Sequence, residues 1–215
     1  MRDFPVFTTQ NGVASIVLRE IPYKGEAYIT LQSTLNPMEL LAECVEFCKI
    51  AGAEKIYATG HPRLEQYPVF TTVIKMQQQK GNLPEGTAYL FPATEQTAEQ
   101  WRTIYNEKMR TVPNASTMTR EDMKGHIQRG AAYFVHENEQ LLGIGIASGD
   151  KIEAIASCVP GGGERVLLTL CNALFSEMLI VEVASTNQPA VRLYQRLGFA
   201  KTAELSCWYD VTKIF

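Results

Sequence analysis

Apolar and polar residues alternate in the first part of the chain in a way that predicts strands. ASIVLRE and EAYITLQS flank the turn-rich stretch IPYKG, so residues 13–34 are expected to form a β-hairpin. The apolar period then lengthens to that of a helix over residues 38–50, which Asn36 and Pro37 open. KIYAT and YPVFTTVIKM follow as two further strands.

A polar stretch, QQQKGNLPEG at residues 77–86, interrupts these periodic segments. It holds two glycines and a proline and has no apolar period, which predicts a linker. We therefore expect two segments, a small α/β segment at residues 1–80 and a larger one at residues 86–215.

The larger segment predicts the element order β-α-α-β-β-β-α-β-α-β. Its strands are read from TAYLF, AAYFVHE, LLGIGIAS, KIEAIASC and EMLIVEVA, and its first two helices from residues 95–109 and 119–129. A strand, a helix and a second strand in succession require parallel neighbours. The predicted fold class is therefore α/β with a mixed sheet.

The stretch NQPAVRLYQRLGF predicts a short helix with both ends marked. Asn187 is the expected N-cap, and Gly198 is the expected left-handed residue that ends the helix. The helix spacing places four residues on its apolar side: Ala190, Leu193, Tyr194 and Leu197. An inward tyrosine is usually a core residue whose hydroxyl finds a partner, so this position alone does not indicate chemistry.

Composition and charge narrow the class of protein. The 215 residues include 46% hydrophobic and 20% charged residues, enough to bury a sizeable core. A net charge of −3 without a basic run argues against a nucleic-acid partner. The start MRDFPVFTTQNG does not resemble a signal peptide, and no apolar run reaches the roughly 18 residues of a membrane span. We therefore expect a cytoplasmic protein without a membrane partner.

The cysteines and histidines do not predict a metal site. Five cysteines are scattered along the chain, which fits reduced thiols better than a disulfide framework. Cys44 and Cys48 share a helix face and could form half of a metal site, but no second ligand pair has a matching spacing. The three histidines are equally dispersed. We expect no metal.

The element order and the last helix together resemble the GNAT superfamily of N-acetyltransferases, over roughly the last 130 residues. The family pattern Asn-x-x-Ala-x-x-x-Leu-Tyr-x-x-x-Gly-Phe is met by Asn187, Ala190, Leu193, Tyr194, Gly198 and Phe199. The resemblance implies an acyl-CoA N-acyltransferase-like fold whose sheet is splayed between its fourth and fifth strands. Acetyl-CoA would lie in that wedge, with Tyr194 as the general acid for the departing thiolate. Asn187 would bond the pantetheine arm or serve only as the N-cap.

The preceding segment at residues 1–80 contains a faint echo of the larger one. AGAEKIYATGHP and FSEMLIVEVASTNQP both contain a helix end, a strand and a turn that closes on proline. The smaller segment is therefore interpreted as a degenerate acetyltransferase-like half without a second cofactor.

The resemblance also implies a pyrophosphate loop at PGGGERV, because glycine amides at a helix start bind phosphate oxygens. The residues implied to hold the cofactor, besides Asn187, are Ala156, Ser157, Cys158, Gly161, Gly162, Gly163, Glu164 and Arg165. The family loop usually reads Arg/Gln-x-x-Gly-x-Gly/Ala. With Gly163 as the second glycine of that pattern, Cys158 stands where Arg or Gln belongs; with Gly162 as the first, Glu164 takes the place of the second. In either alignment the loop is a few residues short. Glu164 also brings a negative charge, which Arg165 is expected to offset.

Glu182 is the candidate general base. On the strand LIVEVA it shares a face with Ile180 and Ala184, and such apolar neighbours would raise the pKa of its carboxyl group. In family members similar to acetyltransferases of ribosomal-protein N-termini, a glutamate twelve residues before the tyrosine is the base. A glutamate at a sheet rim, or one paired with Arg192, is the alternative interpretation, and His136 is a second candidate base.

Two hypotheses of function follow. The first is an enzyme that transfers acetyl from acetyl-CoA to a primary amine, either a small molecule or a peptide N-terminus. The second is a catalytically weak acetyltransferase-like binding or sensor module, which the departures in the glycine loop favour. By analogy of position, Trp101, Tyr105, the TVPNAS loop and the Trp208-Tyr209 pair would line the acceptor side. A homodimer is left open.

Overall fold

The structure is a computed structural model that describes residues 5–213. In chain order the strands are β1 (Val6–Thr9), β2 (Gly12–Val17), β3 (Glu26–Thr34), β4 (Lys55–Thr59), β5 (Val69–Gln79), β6 (Tyr89–Pro92), β7 (Ala132–Glu137), β8 (Gln140–Ser148), β9 (Lys151–Ser157), β10 (Met178–Ala184) and β11 (Ala200–Asp210). The α-helices are α1 (Ile21–Lys24), α2 (Pro37–Ile50), α3 (Ala98–Met109), α4 (Arg120–Gln128), α5 (Gly163–Asn172) and α6 (Gln188–Arg196). Short 3₁₀ turns lie at Pro62–Gln66 and Lys80–Asn82.

The chain divides into two compact units. Unit 1 runs as far as Val73 and takes in the chain from Glu204 onward, and unit 2 is Ile74–Ala203. Strands β5 and β11 therefore each begin in one unit and end in the other. The residues from Glu204 onward, which we placed in the segment at residues 86–215, group with unit 1.

Unit 1 is a sheet with one helix packed on it. Strands β1, β2 and β3 are antiparallel neighbours, β4 is parallel to β3, and the end of β11 pairs with β4 through Tyr209 opposite Ala58. The buried face of α2, which includes Leu40, Leu41 and Cys44, packs against alternate residues of these strands. The expected hairpin of β2 and β3 and the expected helix α2 are confirmed.

Unit 2 has a sheet covered on both faces. Strands β6, β7, β8 and β9 are antiparallel neighbours in that order, and β10 is parallel to β9. One apolar cluster contains residues of α5 and α6 and the inward side of β10; the other contains residues of α3 and α4. The predicted element order of this segment and its mixed α/β sheet are confirmed.

The expected linker at residues 77–86 is wrong over its first half. Residues 77–79 continue β5, and the following Lys80–Asn82 is a 3₁₀ turn. Two polar side chains hold this stretch: the Gln78 Nε2 donates to the Leu197 carbonyl at 3.0 Å, and the Lys80 Nζ donates to the Leu174 carbonyl. These contacts are distant in sequence, so the local pattern could not reveal them. No described helix combines the length and the apolar character that a membrane crossing requires.

Candidate functional site

Strands β9 and β10 run parallel but are paired only at their beginning. Lys151 lies opposite Ile180 and Ile152 lies opposite Val181, and in the described part of the chain the pairing ends there. On its other side β9 stays paired with β8 as far as Ser157. The second half of β9 therefore has backbone N–H and C=O groups that β10 does not use, and these groups can bind an extended ligand.

The three glycines after β9 are required for different reasons. Gly161 has a φ of 72°, in the left-handed region that favours glycine. At Gly162 an added Cβ would lie 2.6 Å from the Ser157 hydroxyl oxygen and 2.7 Å from a Val159 methyl group, so the loop needs glycine to close on itself. At Gly163, which begins α5, the nearest atom to an added Cβ is 3.5 Å away. Of the two glycines adjoining the helix, Gly163 is the one with space around it.

Free amide groups mark the start of α5. The first N–H groups of a helix have no partner within it, and with the helix dipole they attract anions. In α5 the Val166 N–H donates to the Gly162 carbonyl at 3.0 Å. The N–H groups of Gly163, Glu164 and Arg165 come before that bond and are oriented to bind an anion such as a phosphate.

The two charged residues of this first turn are both paired. The Arg196 Nη2 of α6 lies 2.7 Å from the Glu164 Oε2, and the Arg165 guanidinium pairs with Glu137. We expected Arg165 to offset the charge of Glu164, and this was wrong because Arg196 does so. Glu164 therefore brings less uncompensated negative charge to the start of α5 than its sequence position indicates.

The end of β9 can contribute backbone groups more readily than side chains. Ala156 is buried in the cluster beneath α3 and α4. The Ser157 hydroxyl donates to the Val159 carbonyl at 2.6 Å, so it holds the loop together. Cys158 is half-buried, and burial is the main cause that raises the pKa of its thiol.

The helix α6 has the predicted ends and orientation. The Asn187 side chain accepts a hydrogen bond from the Ala190 N–H at 3.5 Å, as an N-cap does. Gly198 has a φ of 83°, and the Phe199 N–H donates to the Tyr194 carbonyl at 2.9 Å. The predicted helix is confirmed, and the cap does not exclude a second bond from Asn187 to a ligand.

Tyr194 is buried and its hydroxyl has no hydrogen bond to any described residue. Only 6% of the residue is exposed, its ring contacts Phe199 at a centroid distance of 5.8 Å, and Cys171 is close by. Burial, followed by the charge of Cys171, raises the pKa of the Tyr194 hydroxyl above its ordinary value. The group is therefore protonated at neutral pH and free to donate.

Glu182 does not lie in the apolar surroundings that we expected. Its Oε2 is 2.7 Å from the Lys151 Nζ, and 36% of its side chain is exposed. Leu179, Val181 and Val183 take the buried side of β10, which leaves Glu182 on the opposite side. The alternation was predicted correctly, but its polar side is open and faces a lysine from the neighbouring strand.

Other candidates from the sequence lie elsewhere in the fold. Trp101 is fully buried, and its indole N–H donates to the Tyr133 carbonyl at 3.0 Å, so it is a core residue; Tyr105 stacks on it. His136 lies on β7, where its ring meets Phe91 edge-on at 5.2 Å. Neither β9 nor β10 contains any of these residues.

Sequence reasoning missed the neighbours of three candidate residues. Lys151 pairs with Glu182, Cys171 lies close to Tyr194, and Arg196 pairs with Glu164. Such pairings depend on the register of parallel strands and on helix packing, which no local pattern encodes. No described group of three or more His, Cys, Asp and Glu side chains could hold a metal ion.

Solved structures of low sequence identity share this fold. A GCN5-related N-acetyltransferase from Anabaena variabilis matches with a TM-score of 0.65 and 9% identity, over 95% of this chain and 60% of that one. One from Sphaerobacter thermophilus matches with a TM-score of 0.55 and 12% identity, over 92% of this chain and 76% of that one. A functionally unknown protein from Staphylococcus epidermidis matches with a TM-score of 0.58 and 10% identity, over 98% of this chain and 95% of that one.

No protein-family model matches the chain, and no curated protein matches it. At these identities the likeness establishes the fold. The chain has the fold of the GCN5-related N-acetyltransferases, an acyl-CoA N-acyltransferase-like α/β fold, and the resemblance found in the sequence is confirmed at that level.

Proposed function

We propose that the chain is an N-acetyltransferase that moves acetyl from acetyl-CoA to a primary amine. The observation that supports this most directly is the early end of pairing between β9 and β10. The same unit contains Tyr194, whose hydroxyl bonds to no residue in the described part of the chain. The fold shared with GCN5-related N-acetyltransferases supports it independently.

The residues around the wedge fit acetyl-CoA. Unused backbone groups at residues 153–157 match the amide groups of the pantetheine arm, which alternate donors and acceptors. The amides of Gly163, Glu164 and Arg165 match the pyrophosphate. Asn187, at the start of α6, has an amide side chain that can bond the arm as well as cap the helix.

Bound acetyl-CoA would supply the thioester. The acceptor nitrogen forms a bond to the acetyl carbon as the carbon–sulfur bond breaks, and Tyr194 gives its proton to the departing sulfur. Glu182 receives one proton from the acceptor ammonium, directly or through water. The second proton that the nitrogen loses as the amide forms passes through water to restore Tyr194. Burial keeps the Tyr194 phenol protonated and also makes it a weaker acid, while the same apolar surroundings make a thiolate that forms beside it a stronger base.

Isothermal titration of the full chain with acetyl-CoA, followed by a thiol-release assay with amines, amino acids and peptide N-termini, tests the proposal. We expect heat on titration and release of CoA with at least one acceptor. Binding without release from any acceptor would support the binding or sensor module instead. An absence of both heat and release would reject the enzyme.

The proposal includes a cytoplasmic compartment, no nucleic-acid or membrane partner, and either a monomer or a homodimer. All five cysteines are unpaired, which fits a reducing compartment.

A further inference from the structure

The ion pair between Lys151 and Glu182 stands where the two strands of the wedge part. Lys151 is in the first residue pair between β9 and β10, and Glu182 follows Val181, the last paired residue of β10. The Lys151 Nζ lies 2.7 Å from the Glu182 Oε2. A cation and an anion are thus side by side at the narrow end of the wedge between β9 and β10.

Both groups can be reached from outside. The Lys151 and Glu182 side chains are 34% and 36% exposed, and neither makes a further side-chain hydrogen bond or ion pair in the described residues. Lysine has three donors and a carboxylate has two acceptor oxygens, so each keeps bonding capacity for a ligand.

Opening this pair costs little. Ion pairs of such exposure contribute about 0–1 kcal/mol to stability, since water and salt screen them. A ligand that offers one charge of each sign replaces both partners and leaves neither charge unpaired. A ligand with an ammonium alone leaves Lys151 without its carboxylate and next to a second cation.

The pair lies on the side from which the acceptor would come. Leu179, Val181 and Val183 point into the cluster that contains Tyr194, and Glu182 lies on the other side of β10. A proton donor for the sulfur and a carboxylate for the amine would then stand on opposite sides of the same strand. Transfer requires both groups to reach the same acetyl carbon, and the gap that opens beyond Val181 is where they can do so.

We propose, on the basis of the proposed function, that Lys151 determines acceptor specificity and that the acceptor is a zwitterionic α-amino acid. Glu182 binds the ammonium group and Lys151 binds the carboxylate. The carboxylate binds only to Lys151 and takes no part in the bonds that form and break, so removing it should weaken binding more than it slows the chemical step.

The test compares amino acids with the amines that result from their decarboxylation, for example leucine with 3-methylbutylamine and phenylalanine with phenethylamine. Thiol release is measured with the full chain at saturating acetyl-CoA. We expect kcat/KM at least about tenfold higher for the favoured amino acid than for its amine. Lys151→Gln should remove that difference by raising KM for the amino acid about tenfold, with the amine changed less than about twofold. Lys151→Arg, which keeps the charge, should retain the preference.

Lys55→Gln is the matched control. Lys55 lies opposite Glu26 on the parallel strands β3 and β4, and its Nζ is 3.9 Å from the Glu26 Oε1, so the variant removes a similar cross-strand pair in unit 1. The variant should leave kcat/KM unchanged for both the amino acid and the amine.

Equal activity of the wild type on amino acid and amine would overturn the inference, as would an equal loss on both in Lys151→Gln. Either result leaves the acetyltransferase standing. A wild type that binds no acetyl-CoA and releases no CoA with any acceptor overturns the inference and the proposed function together.

Discussion

Two β-α-β motifs in the molecule have the same element order and differ in how far their strands pair. In β3-α2-β4 the parallel strands are joined over five consecutive residue pairs, from Glu26 opposite Lys55 to Thr30 opposite Thr59. In β9-α5-β10 the pairing covers two. A shared topology therefore does not make a cleft. The wedge forms where the pairing of two neighbouring strands ends, because the backbone groups beyond that point can then bind another partner.

The turns that lead into the two helices differ in the same direction. Helix α2 starts at Pro37, which has no N–H to give to an anion, while α5 starts at Gly163 after two further glycines. After the second strand, unit 1 continues into a short 3₁₀ turn and unit 2 into α6 with Tyr194. Both differences favour unit 2 over unit 1 as the place of the proposed cofactor site.

The largest expected effect comes from Tyr194→Phe. The change removes a hydroxyl that bonds to none of residues 5–213, so the free energy of unfolding should shift by less than about 1 kcal/mol. Turnover should fall by about 10²–10⁴ if proton donation to the thiolate limits the rate, with a similar KM for acetyl-CoA. Thiol release and thermal unfolding measure the two quantities.

Tyr57→Phe is the control, because Tyr57 is equally buried but belongs to unit 1, where it stacks on Phe70. It should leave turnover unchanged. Full activity in Tyr194→Phe would show that Tyr194 is a core residue and would remove the chemical contrast between the units.

The next effect is expected for Glu182→Gln. The substituted amide can accept hydrogen bonds but takes no proton from the acceptor, so turnover should fall by roughly 10². Acetyl-CoA binding, measured by titration, should stay the same, because the carboxylate is placed on the acceptor side of β10. Stability should hardly change, since the exposed pair with Lys151 contributes at most about 1 kcal/mol.

Glu26→Gln is the corresponding change in unit 1, where the carboxylate accepts from the Tyr28 hydroxyl at 2.8 Å and faces Lys55. It should not affect turnover. If Glu182→Gln keeps the wild-type rate, another group or bulk water accepts the proton.

A smaller effect is expected for Gly163→Asp, which separates helix stability from phosphate binding. A carboxylate in the first turn of α5 meets the positive end of the helix dipole, so stability should rise by about 0.3–1 kcal/mol. The same charge repels the pyrophosphate, and the Kd for acetyl-CoA should increase about tenfold, or roughly 1.4 kcal/mol. Titration and thermal unfolding of the same sample show both effects.

Gly163→Ala adds the same Cβ without charge, in a position where the nearest atom is 3.5 Å away, and should weaken binding far less. An unchanged Kd for acetyl-CoA in Gly163→Asp would show that the pyrophosphate does not bind at this loop. Gly162→Val is a poor test because its Cβ would collide with Ser157 and Val159.

Local sequence chemistry was sufficient for most elements and for α6, but it missed β1 and read the residues of α1 as a turn. The caps at Asn187 and Gly198 and the inward position of Tyr194 follow from helix spacing, which depends only on neighbours in the chain. The extent of pairing between β9 and β10 does not, because two strands separated by a helix can shift by two residues, or part, while each residue stays on the same face.

The surroundings of Glu182 show the same limit. Alternation along β10 correctly put it opposite Val181 and Val183, yet whether that side is apolar depends on the strand beside it. Lys151 supplies the answer from β9, thirty-one positions earlier in the chain. The last residues of β11 were assigned to the wrong segment for a similar reason, since their pairing with β4 joins positions far apart in sequence.

The smallest effect is expected in unit 1, where the β3-α2-β4 motif should not bind acetyl-CoA. This prediction tests the comparison between the two motifs directly. If the wedge requires strands that part, acetyl-CoA should bind with a stoichiometry of about one per chain, as ligand sites are few per protein. Amide hydrogen exchange with and without acetyl-CoA should then show new protection in residues 153–165. It should show none in β3, which pairs with β4 over five residues, or at the start of α2, where Pro37 has no N–H to offer. A stoichiometry near two, or protection in β3, would mean that a fully paired β-α-β motif can also hold acetyl-CoA and that the early end of pairing in unit 2 is not what makes the site.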